Sequence, residues 1–269
     1  DVARVNRCAG DRSLKVSARV YDVVAAAIQM GDISGGIFDM TILPLLKAYG
    51  FRDDSPRRLD PQELADARST VDYRQVFVDK QRCEIGIESP RAQIDLGGIA
   101  KGYAVDRAAE VLRSHGIRRA VIDAGGDMFA LGTPADSDGW PIGIQHPLYS
   151  DKLVGRVHVR DQAIATSGNY EKYISAGDKR YGHLLDPRTG CSSEPMLSAS
   201  VIAPTSLAAD ALSTTAFLMG RDDGHRFIAG QRRTQGLFIT SGPDSGICFK
   251  TTTGFPLDCA GNKTPCRRT

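Results

Sequence analysis

The chain has 269 residues, 41% hydrophobic and 25% charged, with 34 basic against 32 acidic side chains for a net charge of +2. That is enough apolar mass for a sizeable core, and with 28 Gly and 13 Pro spread along the chain it excludes disorder, collagen and coiled coil. The balanced charge argues against a nucleic-acid partner, and no apolar run approaches the roughly 18 residues that would suggest a membrane span.

The sequence opens on Asp1-Val2-Ala3-Arg4, without Met or signal peptide, so processing or an upstream segment is expected. Val16, Val20, Val23, Val24, Ala27 and Ile28 recur at helical spacing, which predicts a helix over Val16–Gln29 ended by Gly31 and followed by a turn at Gly35-Gly36. Asp39–Tyr49 reads as a short or kinked helix, with Pro44 inside its run. A surface loop and a short helix over Pro61–Arg68 follow, then a hairpin of Val76–Val78 with Cys83–Glu88. Ala92–Leu96 reads as a strand, Gly97-Gly98 as a turn, and Ile99–His115 as a helix with Ile99, Val105, Ala108, Ala109, Val111 and Leu112 inward. Short strands are expected at 119–123, 141–145, 155–159, 163–166, 183–185, 198–203, 236–240 and 246–250. Helices are expected over Ser206–Met219 and Gly224–Gly230. The mixed order of strands and helices gives an α+β class, read as one domain over 1–269 with no linker.

Three blocks could carry chemistry. In Asp95-Leu96-Gly97-Gly98-Ile99-Ala100-Lys101, two glycines lead into a helix whose first-turn N–H groups suit an anion. Lys101 in that first turn opposes the helix dipole by roughly 0.3–1 kcal/mol, which an anion beside it would explain. A plain turn with a solvated lysine explains it equally. If Lys101 serves an anion alone, its removal weakens ligand binding and leaves the fold as stable or slightly more so. In the second block, Asp210 and Thr214 stand at i and i+4 with Ser213 nearby, a set of hard oxygens suited to Mg²⁺ with phosphate. Spacing alone favours the blander alternative, an aspartate hydrogen-bonded to a threonine within a helix. In the third, Thr166-Ser167-Gly168 and His183-Leu184-Leu185-Asp186-Pro187-Arg188 are dense in polar groups. No G-x-S-x-G or H-E-x-x-H accompanies them, and a lone histidine is more often structural.

Six cysteines (Cys8, Cys83, Cys191, Cys248, Cys259 and Cys266) form no C-x-x-C pair, against structural zinc or thioredoxin-like chemistry. Disulfides of an exported protein and buried free thiols both fit them.

Taken in order, several runs resemble the ApbE family of FAD:protein FMN transferases. They are GGIFD (35–39) through Pro44 to Tyr49-Gly50-Phe51, DLGGIAKGYAVD (95–106), DAGGDMFALG (123–132), ATSGNYEKY (165–173), KRYGHLLDPRTG (179–190) and VIAPTSLAADALSTTAFLMG (201–220). The resemblance implies a T-fold-related α+β domain with mostly antiparallel sheets. It implies a transferase that moves FMN from FAD to a Thr or Ser hydroxyl of an acceptor flavoprotein and releases AMP, with Mg²⁺ at the pyrophosphate. Carried over residue by residue, Asp210, Thr214 and the backbone oxygen of Gly98 hold the metal. Tyr49, Gly50, Phe51, Asp95, Lys101 and Leu185 line the FAD site, and His183 stands near the scissile phosphate as the catalytic base. Rival readings are a Mg²⁺-dependent FAD pyrophosphatase and a non-enzymatic flavin carrier. The family's amino-terminal strand, Met-Gly-Thr segment and following helix lie outside this sequence. Ser is frequent in the family where Gly182 stands, and the Cys-bearing tail of about 246–269 has no aligned counterpart. The expected location is an export compartment, with a membrane anchor ahead of Asp1 as one form and the cytoplasm left open.

Overall fold

The structure, a computed structural model, describes residues 1–53, 55, 57–169, 173–176, 179–192, 196–242, 246–258 and 266–268. The chain divides into two compact units, Asp1–Gly98 with Lys172–Ser193, and Ile99–Glu171 with Glu194–Thr269. No helix among the described residues is long and apolar enough to cross a membrane.

In the first unit the strands Leu14–Lys15, Glu84–Ile87 and Val76–Asp79 form an antiparallel sheet with Glu84–Ile87 central. The long helix runs over Ala18–Ser34, passing the expected stop at Gly31. A Cβ on Gly31 would lie 2.6 to 2.8 Å from the ring of Tyr73, so this glycine makes room for an aromatic side chain and does not end the helix. Tyr73 also donates to Asp32 Oδ1 at 2.8 Å. Gly35, left-handed at φ 64°, is the actual stop. Pro44 lies in the first turn of a short helix, Leu43–Ala48, where its missing N–H costs nothing, so no kink arises. Pro61–Arg68 is a helix as expected, fixed by a capping box between Asp60 and Glu63.

Two expected strands are absent. Residues 92–96 contribute only an isolated bridge, Gln93 to Ile42, because other groups satisfy the backbone. The Asn6 side chain accepts from Ile94 N and donates to Ile94 O, and Asp95 N donates to Met40 O. Residues 183–185 likewise supply only the Leu185–Ser192 bridge, following a hairpin of Tyr173–Ala176 with Lys179–Gly182. The apolar centre of this unit joins Leu45, Leu46, Tyr49, Leu59, Ala67 and Leu185.

The second unit is built on a seven-stranded sheet. Its order is Cys266–Arg268, Ile247–Thr251, Gln235–Ser241, Met196–Ala203, Gln162–Gly168, Asp127–Leu131 and Ala120–Ala124. Every pair is antiparallel except the first. Strand alternation sorts the faces: Ile164, Ile202, Leu237 and Ile239 join a cluster with Ile142, Ile144, Val154 and Val157 of the hairpin Trp140–His146/Tyr149–Val159. The opposite face, with Ser167 aligned on Ala199 and Ala199 on Phe238, meets the helices.

The helix Ser206–Met219 packs on the strands Gln162–Gly168 and Met196–Ala203 and on the helix Ala100–Ser114. Ala209 through Leu218 are all buried, and the small Ala, Ser and Thr side chains permit that enclosure. Its first turn is tied down. Asp106 accepts from Ser206 N at 2.8 Å and Leu207 N at 2.9 Å, and Thr205 Oγ1 accepts from Ala208 N at 3.2 Å. On Ala100–Ser114, Val105 and Ala109 face inward as expected, whereas Val111 is 56% exposed. Position 111 lies about 200° around the helix from Ala109, while 105, 109 and 112 share one face.

The two helices meet backbone to backbone at Gly102, where a Cβ would stand 2.1 Å from Ser206 O. Gly102→Ala therefore forces the backbones apart, and we expect a loss of at least about 2 kcal/mol by overpacking despite alanine's higher helix propensity. Chemical denaturation checks it. An unchanged midpoint would show that the helices can separate freely.

Among the described residues Cys8, Cys83, Cys191 and Cys248 are free thiols. Cys259 lies outside the described residues.

Candidate active site

The second unit holds a buried cluster of oxygen donors. Asp210 and Thr214 are one helical turn apart on Ser206–Met219, 3% and 7% exposed. Asp210 Oδ2 accepts from Gly102 N at 3.0 Å. Ser167 Oγ, on the adjoining strand, hydrogen-bonds Ser213 Oγ at 2.9 Å and Thr214 Oγ1 at 3.1 Å. The blander expectation, an aspartate bonded to its own helix's threonine, is not what forms: Thr214 bonds across to Ser167. Sequence spacing paired Asp210 with Thr214 but could not bring in the strand hydroxyl.

A second carboxylate, unremarked in the sequence, completes the cluster. Asp127 begins the strand Asp127–Leu131, is 1% exposed, and its Oδ2 lies 2.6 Å from Lys101 Nζ. Its other neighbour is the Asp210 carboxyl, and each carboxyl feels the other's charge. Burial raises the Asp127 carboxyl, with Lys101 pulling the other way. Asp210 is pushed up to about 7, chiefly by burial and then by the Asp127 charge, against the Gly102 N–H and Lys101. The ion pair also changes what removal of Lys101 does. Truncation leaves a buried carboxylate without its cation, so the fold loses stability where the sequence reading expected none lost.

The raised Asp210 carboxyl has a stability consequence. Between its ordinary value of 3.8 and about 7 the folded protein keeps a proton that the unfolded chain has lost. The metal-free protein accordingly loses stability as pH rises through that window and levels off above it. Melting temperatures from pH 4 to 8 should show this decline, and Asp210→Asn should flatten it. An equally steep decline in the variant would assign the effect to other groups.

The remaining candidates lie in the first unit. Tyr49 is 3% exposed and packs against Phe51, with ring centroids 6.4 Å apart, and Tyr181 at 5.5 Å. Burial and the neighbouring Cys191 thiol raise its phenol well above the ordinary value. Gly50 stands at φ 83° and donates to Lys47 O at 2.9 Å, a backbone position that favours glycine. Asp95 accepts from Gly97 N at 2.9 Å and pairs with Arg52, so its carboxylate organises the turn at Gly97-Gly98. Gly98 lies in that turn, immediately ahead of Ile99.

His183 is half-buried and follows the hairpin strand Lys179–Gly182. The loop after it is tightly braced. Buried Asp186 accepts from Arg188 N at 2.8 Å and from its guanidinium at 2.7 to 3.1 Å, and Gly190 N donates to Asp186 O at 2.7 Å. Leu185 is a core side chain, 3% exposed, in the cluster with Tyr49.

A sequence model described as the ApbE family matches residues 1–238. The chain belongs to the ApbE family. Its relatives include a FAD:protein FMN transferase of Klebsiella pneumoniae (strain 342), 30% identical over 250 residues, which are 90% of this chain and 76% of that protein. Another, from Treponema pallidum (strain Nichols), is 31% identical over 256 residues, 88% and 70% of the two chains. Among solved structures, the ApbE protein of Thermotoga maritima superposes with a TM-score of 0.84 at 30% identity, covering 91% of this chain and 80% of that one. The flavin transferase ApbE from Vibrio cholerae gives a TM-score of 0.82 at 28% identity, with 94% and 81% covered. The mixed α+β fold expected from the ApbE resemblance is thus the fold found. The family match ends inside the strand Gln235–Ser241, so the Cys-bearing tail falls beyond it.

Proposed function

We propose that this chain is a FAD:protein FMN transferase that acts on a Thr or Ser hydroxyl of an acceptor protein and depends on Mg²⁺. The name of its relatives supports flavin transfer, and one observation in this chain carries the metal requirement. Two buried carboxylates, Asp127 and Asp210, face one lysine amid the hydroxyls of Ser167, Ser213 and Thr214. Excess buried negative charge among hard oxygens fits a small divalent cation that keeps water and phosphate ligands. Among the described residues no group of three or more His, Cys, Asp and Glu could hold a metal ion, so the cation would rest on hydroxyl, carbonyl and phosphate oxygens as well.

Asp210 and Thr214 would hold the ion, with the Gly98 carbonyl as a further ligand. When bound, Mg²⁺ supplies Lewis-acid polarisation of the pyrophosphate and neutralises its charge. The chain's own residues do the rest. Lys101 stabilises phosphate oxygens electrostatically, from the first turn of Ala100–Ser114. Tyr49, Gly50, Phe51, Asp95 and Leu185 shape and orient the flavin nucleotide. His183 takes the proton from the acceptor hydroxyl as its oxygen bonds to the FMN phosphorus and the bond to AMP breaks.

The test incubates the chain with FAD, Mg²⁺ and a candidate acceptor. Mass spectrometry should find FMN added to a Thr or Ser of the acceptor, with one AMP released per transfer. FMN and AMP formed equally fast without acceptor would make it a pyrophosphatase, and bound flavin with no AMP a carrier.

A further inference from the structure

Asp127 has so far entered only as buried negative charge beside Asp210. It is almost fully buried at the start of its strand. What precedes it is a two-residue turn, Gly125-Gly126, with φ of 65° and 91° and Ala124 paired to Asp127 across it. Such a turn fixes strand register closely. Asp123 Oδ1 accepts from Gly126 N at 2.8 Å and locks it further. The Asp127 side chain therefore projects from a rigid point.

Lys101 has the opposite character. Its side chain is 46% exposed, has four rotatable bonds, and sits in a first helical turn where the dipole repels an ammonium. Left alone it would spread over many rotamers in solvent. Instead its Nζ is held 2.6 Å from a carboxylate that is 2% exposed, beside the helix that carries Asp210. A carboxylate that deep needs its cation, so the pairing is strongly favoured from the aspartate's side.

We propose that Asp127 is a positioning residue for the transferase reaction: it holds the Lys101 ammonium at one point in the site, where that charge meets the phosphate oxygens of the bound dinucleotide. The role rests on the transferase reading. A fixed ammonium loses little side-chain entropy when the dinucleotide arrives, and its field is aimed before chemistry begins. Asp127 touches neither substrate nor product and acts only by way of Lys101.

A double-mutant cycle tests this, with kcat/KM for FAD in the transfer assay, FAD titration, and a thermal melt for each variant. Asp127→Asn keeps the shape and removes the charge. It should lower kcat/KM by about tenfold to a hundredfold, the usual size for outer partners of a site. Lys101→Met should lower it at least as much, and in the Lys101→Met background Asp127→Asn should cost almost nothing more. Asp127→Glu, which retains the charge, should recover part of the loss. Should Asp127→Asn fail to fold, the Glu variant is read in the same cycle, where its deficit should also vanish when Lys101 is Met. Additive losses would show that Asp127 merely supports the fold, and so would wild-type transfer in Asp127→Asn or a Glu variant no better than Asn. A wild-type chain that moves no FMN would instead overturn the transferase reading, and this role with it.

Discussion

On the proposed function, Asp210→Ala should abolish Mg²⁺-dependent transfer while the chain stays folded. Asp210 is the one carboxylate on Ser206–Met219, and Mg²⁺ is usually held through one or two carboxylates plus substrate phosphates. Its loss leaves Thr214, a neutral hydroxyl that already bonds Ser167, and activity should fall by about a thousandfold or more, as when a principal electrostatic group is removed. The fold should survive because this carboxyl is costly to bury, its value standing near 7. Removing it forfeits one acceptor for Gly102 N, worth about 1 kcal/mol, and relieves repulsion with Asp127. Thr214→Val should weaken the site less, since it removes no charge. Two measurements decide: transfer rate against Mg²⁺ concentration, and the shift in melting temperature on adding Mg²⁺. Wild-type activity at saturating Mg²⁺ in Asp210→Ala would sink the metal assignment.

His183→Gly separates binding from chemistry. If the imidazole takes the acceptor proton, the variant still binds FAD and Mg²⁺, and transfer falls by roughly a hundredfold or more, the usual contribution of a general base. The neighbouring loop should hold its shape, because Asp186 braces it through Arg188 and Gly190. Titrating FAD into the variant and timing FMN attachment give both quantities. Joint loss of stability and flavin binding would make His183 a packing residue, and His183→Gln, which keeps bulk without a usable base, would then restore both. Unimpaired transfer would remove it from the mechanism.

What could be read from sequence was whatever local residues decide. The helices Pro61–Arg68 and Ser206–Met219 fall where expected because Asp60 with Glu63, and Thr205 with Gly220, mark their ends within a few residues. Gly31 misleads because its missing side chain is matched to Tyr73, far along the chain. Residues 92–96 mislead because Asn6 takes up backbone groups that a neighbouring strand would otherwise pair. The candidate site divides the same way. Asp210 and Thr214 are visible as a helical pair, whereas Asp127 and Ser167 gain meaning only from partners on other elements. Asp127 stood in the DAGGDMFALG run, but no spacing rule links it to Lys101.

The tethered start of Ser206–Met219 bears on time as well as place. Helix ends ordinarily fray, and their first amides exchange with solvent deuterium within moments. Here Asp106 and Thr205 engage the amides of Ser206, Leu207 and Ala208, and nearly all that follows is enclosed. Those three protons should therefore exchange only as slowly as the helix interior, by opening of the whole unit. Asp106→Ala should release those of Ser206 and Leu207 while Ala208, held by Thr205, and the middle of the helix stay protected. The segment that presents Asp210 should thus be among the slowest-exchanging parts of its unit, with the carboxylate held in place by the tethered turn before it.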